Sequence, residues 1–261
     1  MEYDGSRYHG SQYQVNAITI QGEIEHALYK LAGEKIRIAI ASRTDAGVHA
    51  KGQVVSFKTK SAFPPQTWIK ALNYYLPSDV AVKAACEVDN DFDVRRDALS
   101  REYRYYILNS STRSPLMQGV ACFTPQPLDI EAMNRACLVL PGEHDFAPFA
   151  SVINGRTIRQ VYRAEVDKKE DLVRFDMVAS SFLPHQVRNT IGGLIEVGSG
   201  KMEVETFWKL ARSGKAGAIG PTAPAHGLYL MKVNYADFPL PVQEGMKVNS
   251  TEKILIFGGC K

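Results

Sequence analysis

Long hydrophobic runs, clustered cysteines and a strong charge of either sign are all missing from this 261-residue chain. No apolar stretch approaches the ~18–20 residues that a membrane-spanning helix needs, so the sequence predicts no membrane segment. Residues 1–5 contain neither a basic nor an apolar stretch, so we expect no signal peptide. With 45% hydrophobic and 23% charged residues, the composition is typical of an ordinary soluble globular protein.

The cysteines are few and far apart in the chain. They are Cys86, Cys122, Cys137 and Cys260. None belongs to a C-x-x-C pair, which argues against a structural zinc site. Scattered single cysteines without a secretion signal are typical of proteins in a reducing compartment, so we expect a cytoplasmic protein.

Several familiar catalytic signatures are also missing. The chain has no phosphate-binding loop, no G-x-G-x-x-G after a strand and no G-x-S-x-G elbow. The net charge of +3 is too small to indicate a nucleic-acid partner unless the positive charge is concentrated on one surface. Two clusters could provide that surface, the alternative being solvated strand and loop faces: Arg95, Arg96, Arg101 and Arg104, and then Arg156, Arg159 and Arg163.

Apolar periodicity predicts short helices and strands along the whole chain. The predicted helices cover residues 19–33, 66–75, 129–140, 183–198 and 204–212, and the predicted strands cover 36–40, 53–59, 80–87, 100–109, 159–167, 172–179 and 227–235. Thr19 and Gly33 are residue types that begin and end a helix. Residues 243–261, including the apolar run at 254–257, are left without an assignment.

The arrangement of these elements predicts the fold class. Many neighbouring strands are joined by short turns, which favours an α+β fold over a doubly wound parallel sheet. We expect two similar α/β halves that share a continuous, largely antiparallel mixed sheet, with helices on one side and an active-site cleft on the other. The predicted halves are residues 1–98, with the acidic loop described next, and residues 99–261.

Residues 42–49 (SRTDAGVH) place a single carboxylate, Asp45, on a short loop between two strand-like runs. A free aspartate has a pKa of about 3.9, and a nearby arginine lowers it, so an ionised nucleophile is chemically reasonable here. Arg43 and the distant Arg188 are the candidate partners. The alternative is that Asp45 only holds the turn by bonding to its own backbone.

Two further segments carry candidate functional residues. In the strand at 100–109, period-two alternation puts Tyr103 on the same face as Arg101, where it could stack on a nucleobase or act as a phenolic base. The alternative is an ordinary half-buried sheet aromatic. The helix at 183–198 begins with His185, Arg188 and Asn189 on one face, which suits a polar or anionic ligand, and its Gly192-Gly193 pair predicts close approach of another backbone. The alternative is an exposed arginine beside two packing glycines.

Six blocks occur in an order that resembles the tRNA pseudouridine synthase A family. They are residues 2–10 (EYDGSRYHG), 42–49 (SRTDAGVH), 101–105 (REYRY), 142–146 (GEHDF), 182–189 (FLPHQVRN) and 220–228 (GPTAPAHGL). The blocks extend over nearly the whole chain, and the R-T-D-A-G-V-H block is specific to that family. Two features differ from its usual pattern. No apolar strand precedes the first block, so either the first strand is clipped or its partner strand is short. Ser11-Gln12 follows the first block where the family often has tryptophan.

The resemblance implies an isomerase that converts uridines 38, 39 and 40 of the tRNA anticodon stem-loop to pseudouridine, with no cofactor and no metal. It implies Asp45 as the nucleophile, Tyr103 packed against the target base and Arg188 paired with Asp45. It also implies a homodimer whose tRNA contacts come from both subunits. A base inside a stem has to be flipped out before it can react.

The remaining candidate residues are expected to contact RNA. They are Arg43, Arg7, Arg95 and His185, with Arg43 placed to fill the vacated space or to contact the backbone. Two alternative functions are a catalytically silent RNA-binding module and a metal-dependent hydrolase that uses Asp45 with His49, or His144 with Asp145. Neither of these pairs matches a dense metal-ligand pattern.

Overall fold

The structure is a computed structural model that describes residues 1–153, 155–236 and 253–257. The chain forms two compact units, one made of Met1–Leu99 with the described residues from Leu230 onward, and one made of Ser100–Tyr229. The division into halves at residues 98 and 99 stays a prediction. Most of the unassigned stretch at 243–261, including Cys260, lies outside the described residues.

The first unit contains two helices and most of the short strands. The helices are α1 (Ile20–Ala32) and α2 (Pro65–Tyr75), and the strands are β1 (Glu2–Tyr3), β2 (Ala39–Ile40), β3 (His49–Ala50), β4 (Val55–Thr59), β5 (Val80–Ala81), β6 (Ala85–Val88) and β13 (Lys253–Phe257). β1 pairs with β3 and with β5, and β4 pairs with β2 and β13. All four pairings are antiparallel, and they place the ends of β2 and β3 on either side of the Asp45 loop.

Helix α1 forms where its end signals predict. The Thr19 side chain accepts a hydrogen bond from the backbone N–H of Gly22, which satisfies one of the donors left unpaired at a helix start. Gly33 ends the helix in the left-handed conformation at φ 72°. The core beneath contains Trp68, whose ring lies 5.3 Å from the Phe57 ring at an angle of 67°. Phe57 also contacts Phe257 of β13, so the last described strand completes this core.

The second unit is built on long antiparallel strands. Its elements are β8 (Cys122–Phe123), α3 (Ile130–Cys137), β9 (Gly142–Asp145), β10 (Ile158–Lys169), β11 (Leu172–Ala179), α4 (Gln186–Gly198) and α5 (Val204–Ala211). Strands β7 (Ala98–Leu108) and β12 (Leu228–Tyr235) begin close to the unit boundaries. The order β7-β11-β10-β9 is antiparallel throughout, and β8 adds to β7 in parallel. Helix α3 packs on β10 and on α4.

Two predicted strands are shorter than expected because helix side chains bond to their backbones. At 36–40 only Ala39–Ile40 forms a strand, since Glu25 of α1 accepts from the N–H of Ile38 at 3.2 Å. At 80–87 the strand is split into β5 and β6. The Asn73 side chain accepts from the N–H of Val82 at 2.8 Å and donates to its carbonyl at 2.9 Å. The Glu25 carboxylate and the Asn73 amide replace the neighbouring strand that the backbone would otherwise need.

The predicted α+β class is confirmed. The described residues contain five α-helices and a large mixed sheet. Helices and strands are interspersed along the chain. Among these described helices, none has the length and apolar character needed to cross a membrane.

Candidate active site

The Asp45 loop joins β2 to β3 through a tight turn in the first unit. The Asp45 carbonyl accepts from the N–H of Val48 at 3.1 Å, and Gly47 adopts a left-handed φ of 77° that favours glycine. The Asp45 side chain is half-buried, whereas Arg43 is exposed. The chain therefore presents one carboxylate at the edge of a short turn, as the sequence predicts.

The residue before Asp45 is fixed by three hydrogen bonds from the N-terminal segment. The Thr44 hydroxyl lies 2.8 Å from the Tyr3 hydroxyl, in a fully buried contact. The Thr44 N–H donates to Ser11 Oγ at 2.8 Å, and the Ser11 N–H donates to the Thr44 carbonyl at 3.0 Å. Loop backbone has no strand ladder to satisfy it, so such bonds decide where the loop lies. We call Tyr3, Ser11 and Thr44 the loop anchor.

A buried amide extends this anchor to the other side of the loop. Gln53 donates to the Ser42 carbonyl at 2.8 Å and to the Tyr3 hydroxyl at 3.2 Å, and its oxygen accepts from the Ser42 N–H at 3.3 Å. Because Tyr3 accepts from Gln53, its own proton is available for Thr44. Burial raises the pKa of Tyr3 to about 12, against the opposing effect of these hydrogen bonds, so the phenol stays neutral and can donate.

Two glycines of the first sequence block let the N-terminal segment lie directly against the loop. A Cβ at Gly5 would collide with the carbonyl of Val48. A Cβ at Gly10, whose φ is 92°, would lie 2.9 Å from the carbonyl of Thr44. The segment and the Asp45 loop therefore approach backbone to backbone, and only glycine leaves enough space.

The last residue of the acidic block, His49, is a buried part of this assembly. Its Nδ1 lies 3.1 Å from Asp4 Oδ1 and 3.2 Å from the N–H of Gly5. Burial acts to raise the pKa of Asp4, but the hydrogen bonds from Ser6 and the charge of His49 outweigh it and lower that pKa below its usual value. Across residues 1–153, 155–236 and 253–257, no three His, Cys, Asp or Glu side chains cluster closely enough to hold a metal.

Tyr103 lies on the inward face of β7 in the second unit. The alternation is as predicted: Arg101, Tyr103 and Tyr105 are buried, whereas the residues between them are half-buried. The Tyr103 ring is 6% exposed and meets the Phe182 ring edge-on, with 5.1 Å between the centroids. Arg101 donates to the Ser180 carbonyl at 2.7 Å, so the same face joins β7 to the segment before α4.

Arg188 is oriented by a backbone carbonyl near the start of α4. Its Nε donates to the Ala223 carbonyl at 2.8 Å, and the Ala223 N–H donates back to the Arg188 carbonyl at 3.1 Å. The side chain is half-buried. His185 occupies the N-cap with a left-handed φ of 61° and makes no capping bond through its side chain. Its unusual backbone conformation turns the chain into α4 one residue before the helix begins.

The Gly192-Gly193 pair brings the loop at 219–224 onto α4, as the sequence predicts. A Cβ at Gly192 would collide with the Pro221 carbonyl, and one at Gly193 would lie 2.8 Å from the Ile219 carbonyl. The loop in turn holds Arg188 through Ala223. This packing explains why the block at 220–228 belongs to the site although it carries few reactive side chains.

Asn189 has a structural role instead of facing a ligand. It is 2% exposed, donates to the Phe149 carbonyl at 2.9 Å and to Ser151 Oγ at 3.1 Å, and accepts from the Thr222 hydroxyl at 2.6 Å. With its oxygen and nitrogen occupied in this way, it locks the start of α4 to neighbouring loops.

The candidate RNA contacts have different surroundings in the structure. Arg43 is exposed and has no hydrogen bond or ion pair with any other described residue. Arg7 pairs with Asp79 and lies over the Tyr8 ring at 5.3 Å, while Arg95 is exposed and donates to the Ile40 carbonyl at 2.9 Å. Arg43 can therefore contact RNA without losing a bond to another described residue. RNA contact by Arg7 would compete with its ion pair to Asp79.

Sequence reasoning missed the loop anchor. Tyr3 belongs to the first sequence block and Ser11 directly follows it, yet nothing in the local pattern assigns them a partner 41 and 33 residues away. The available signal was the polar character of Ser11, Thr44 and Gln53 next to apolar strands, because buried polar side chains need hydrogen-bond partners.

Comparisons with known proteins identify the family of this sequence. A sequence model described as tRNA pseudouridine synthase matches residues 1–97 and 136–236. A tRNA pseudouridine synthase A from Roseiflexus castenholzii is 43% identical over 243 residues, which cover 91% of this chain and 89% of the relative. A protein of the same name from Neisseria meningitidis is 41% identical, over 91% of this chain and 91% of the relative. One from Thermoanaerobacter is 40% identical, over 90% of this chain and 97% of the relative.

The family match includes both the Asp45 loop and the Arg188 helix, and the similarity extends over nearly the full length of these relatives. The chain therefore belongs to the tRNA pseudouridine synthase family, isomerases that convert uridine in tRNA to pseudouridine.

Proposed function

We propose that this protein isomerises uridines 38, 39 and 40 of the tRNA anticodon stem-loop to pseudouridine, with Asp45 as the nucleophile. The observation that carries the proposal is the loop anchor, which fixes the backbone next to Asp45 by buried hydrogen bonds. Covalent catalysis needs a carboxylate held in one place relative to the reacting atom. The names of the relatives support tRNA as the substrate.

The chemistry is an internal rearrangement. The bond between N1 and C1′ breaks, a bond between C5 and C1′ forms, C5 loses a proton and N1 gains one. Nothing is oxidised or reduced, so the proposal includes no cofactor and no metal. The Asp45 carboxylate forms a transient covalent bond either to C1′ or to the uracil ring, and this bond breaks again before the product leaves, which frees the carboxylate. Both routes require the detached base to be held while water is excluded.

Tyr103 and Arg188 complete the proposed catalytic set. Tyr103 packs against the target uracil, and its position on a rigid strand supports this role. Arg188 is proposed to pair with Asp45 and keep it ionised, because a buried carboxylate without a partner is costly. The Ala223 carbonyl already fixes the Arg188 Nε, which supports a preset orientation. Lysine would replace it poorly because it lacks the planar fork.

The substrate has to reach this set through base flipping, at a cost of a few kcal/mol. We assign Arg43 to fill the space that the flipped base leaves, or to contact the adjacent RNA backbone. Arg7, Arg95 and His185 are assigned to further RNA contacts. The exposure and availability of Arg43 support its assignment. A cytoplasmic homodimer with tRNA contacts from both subunits is also part of the proposal, and sizing by light scattering tests the dimer.

Pseudouridine mapping on unmodified tRNA transcripts tests the proposal. Purified protein should produce pseudouridine at positions 38, 39 and 40 wherever the transcript has uridine there, and a strong chelator should leave the yield unchanged. A matched transcript with cytidine at these positions serves as the control. Pseudouridine formed only elsewhere would reject the anticodon assignment, and binding without any pseudouridine would reject the enzyme in favour of an RNA-binding module.

A further inference from the structure

Two arginines near the start of β10, Arg156 and Arg159, are less well neutralised by carboxylates than their neighbours Arg163 and Arg174. Arg163 lies 3.3 Å from Glu165, and Arg174 on β11 makes two 2.6 Å bonds to Asp167. Arg156, by contrast, only reaches Glu143 at 3.6 Å, with both side chains mostly exposed. An exposed pair at that distance contributes little, so Arg156 is available to another anion.

Arg159 is held in place without being neutralised. Its Nη1 donates to the carbonyls of Arg156 and Ile158, each at 2.8 Å. Its Nε is buried and has no hydrogen-bond partner within the part of the chain that the structure describes. A buried unpaired donor costs free energy, and a guanidinium makes its strongest bonds to oxyanions.

The two guanidinium groups also repel each other. Burial and the charge of Arg156 lower the pKa of Arg159 below its usual value. Arranging like charges in this way is unfavourable unless an anion binds between or beside them. A phosphate matches this need because it accepts several bonds from a planar fork.

A cavity of about 440 Å³ in the same unit is lined by a third arginine, Arg212. His144, which lines the cavity, is the cross-strand partner of Arg159 in the β9–β10 pairing, so their side chains leave the sheet on the same face. Arg212 also lines the cavity, and it has no ion pair with another described residue. Asp145 contributes an acid, but its Oδ1 is occupied by the N–H of Ala147 at 2.9 Å.

We propose that Arg156, Arg159 and Arg212, named the arginine surface, bind backbone phosphates of the tRNA substrate. The inference rests on the proposed function, because that function supplies the polyanion. It adds a binding site in the second unit to the contacts assigned to Arg43, Arg7, Arg95 and His185. Phosphate contacts position an RNA without reading its sequence, so this surface contributes affinity and register.

Salt-dependent binding of full-length tRNA provides the test. Arg159→Gln and Arg156→Gln should each raise Kd about tenfold, as expected for losing a hydrogen bond to a charged group. Each should also reduce the slope of log K against log salt by roughly one unit. Arg212→Gln should act in the same direction.

Arg174→Gln is the matched control, since it removes the same charge from an arginine that Asp167 already neutralises. It should leave both Kd and the slope unchanged. Arg159→Lys keeps the charge but loses the fork, so it should keep the slope and weaken binding by a smaller factor. Melting temperatures show whether each variant is folded. If Arg159→Gln is unfolded, Arg156→Gln and Arg212→Gln test whether the arginine surface binds tRNA.

Unchanged affinity and slope in Arg156→Gln and Arg159→Gln, or equal losses in Arg174→Gln, would overturn the proposal. The pseudouridine yield of the wild type is measured alongside. A wild type that binds tRNA without modifying it rejects the proposed function, while the binding data still decide whether the arginine surface contacts RNA.

Discussion

The two regions that hold the candidate catalytic residues are stabilised in different ways. The Asp45 loop is held by hydrogen bonds from Tyr3, Ser11 and Gln53. Helix α4 is held at its start by the hydrogen bonds of Asn189 and at its middle by close packing, with Gly192 against the Pro221 carbonyl. A loop without a strand ladder needs side-chain hydrogen bonds to fix its backbone. A tightly packed buried helix has no room for an added methyl group. Removing one hydroxyl should therefore loosen the first region, and adding one methyl should disrupt the second.

The largest effect is expected for Gly192→Ala. The new Cβ would collide with the Pro221 carbonyl, so α4 or the loop at 219–224 has to move. We expect a loss of about 3 kcal/mol or more in the free energy of unfolding, measured by urea denaturation. Gly33→Ala is the comparison, because nothing lies within 4 Å of its Cβ and only the left-handed φ of 72° is strained. It should cost about 1 kcal/mol, and equal losses would contradict the packing argument.

The loop anchor is tested by Thr44→Val, which keeps the shape and removes the hydroxyl. It leaves the buried Tyr3 phenol without its acceptor, so we expect about 1–3 kcal/mol of destabilisation. If the anchor positions Asp45, kcat should fall by about 10- to 100-fold with little change in KM.

Thr44→Ser is the matched control because it retains the hydroxyl. It should restore most of kcat, since Ser can make the same bond to Tyr3. A Thr44→Val enzyme with normal kcat would show that the anchor serves folding alone.

Tyr103→Phe separates catalysis from packing in the second region. The ring keeps its edge-on contact with Phe182, so the melting temperature should change little. The turnover number should fall by at least about tenfold if the phenol takes part in the reaction. Unchanged turnover would remove the hydroxyl from the mechanism and leave Tyr103 only a packing role.

The smallest effect concerns pH. Burial raises the pKa of Tyr3 from near 10 to about 12, so the folded protein holds this proton more tightly than the unfolded chain. The associated stability is fully present below about pH 10 and is lost as the pH rises towards about 12. Tyr8, whose pKa burial also raises to about 12, acts in the same direction.

Thermal unfolding between about pH 9 and about pH 11 measures this loss. Tyr3→Phe should show a smaller decrease in melting temperature over that range than the wild type, because one titrating phenol has been removed. An identical decrease would mean that Tyr3 does not contribute.

The sequence predicted those features that depend on neighbouring residues in the chain, such as helix ends and strand alternation. Thr19 and Gly33 mark the ends of α1, and strict alternation identified the buried face of β7 that carries Tyr103. The Gly192-Gly193 pair predicted a close backbone approach, because glycine within a helix is otherwise unfavourable. The RNA-modifying family was also identified correctly from ordered blocks.

Features that depend on distant partners could not be predicted in the same way. The strand at 36–40 was shortened because Glu25 of α1 bonds to Ile38, and β5 was separated from β6 by Asn73. Strand β13 was left unassigned because its pairing with β4 and β6 joins residues far apart in the chain. The roles of Ser11 and Gln53 depend on the same kind of long-range contact.

Single-turnover pseudouridine formation by Asp45→Asn tests whether Asp45 is the nucleophile. Asparagine keeps the size of the side chain and removes its charge, so tRNA affinity should stay within a few-fold of the wild type. We expect no detectable pseudouridine at positions 38–40 even at saturating enzyme. Pseudouridine formed by the folded, purified variant at a rate near that of the wild type would contradict it.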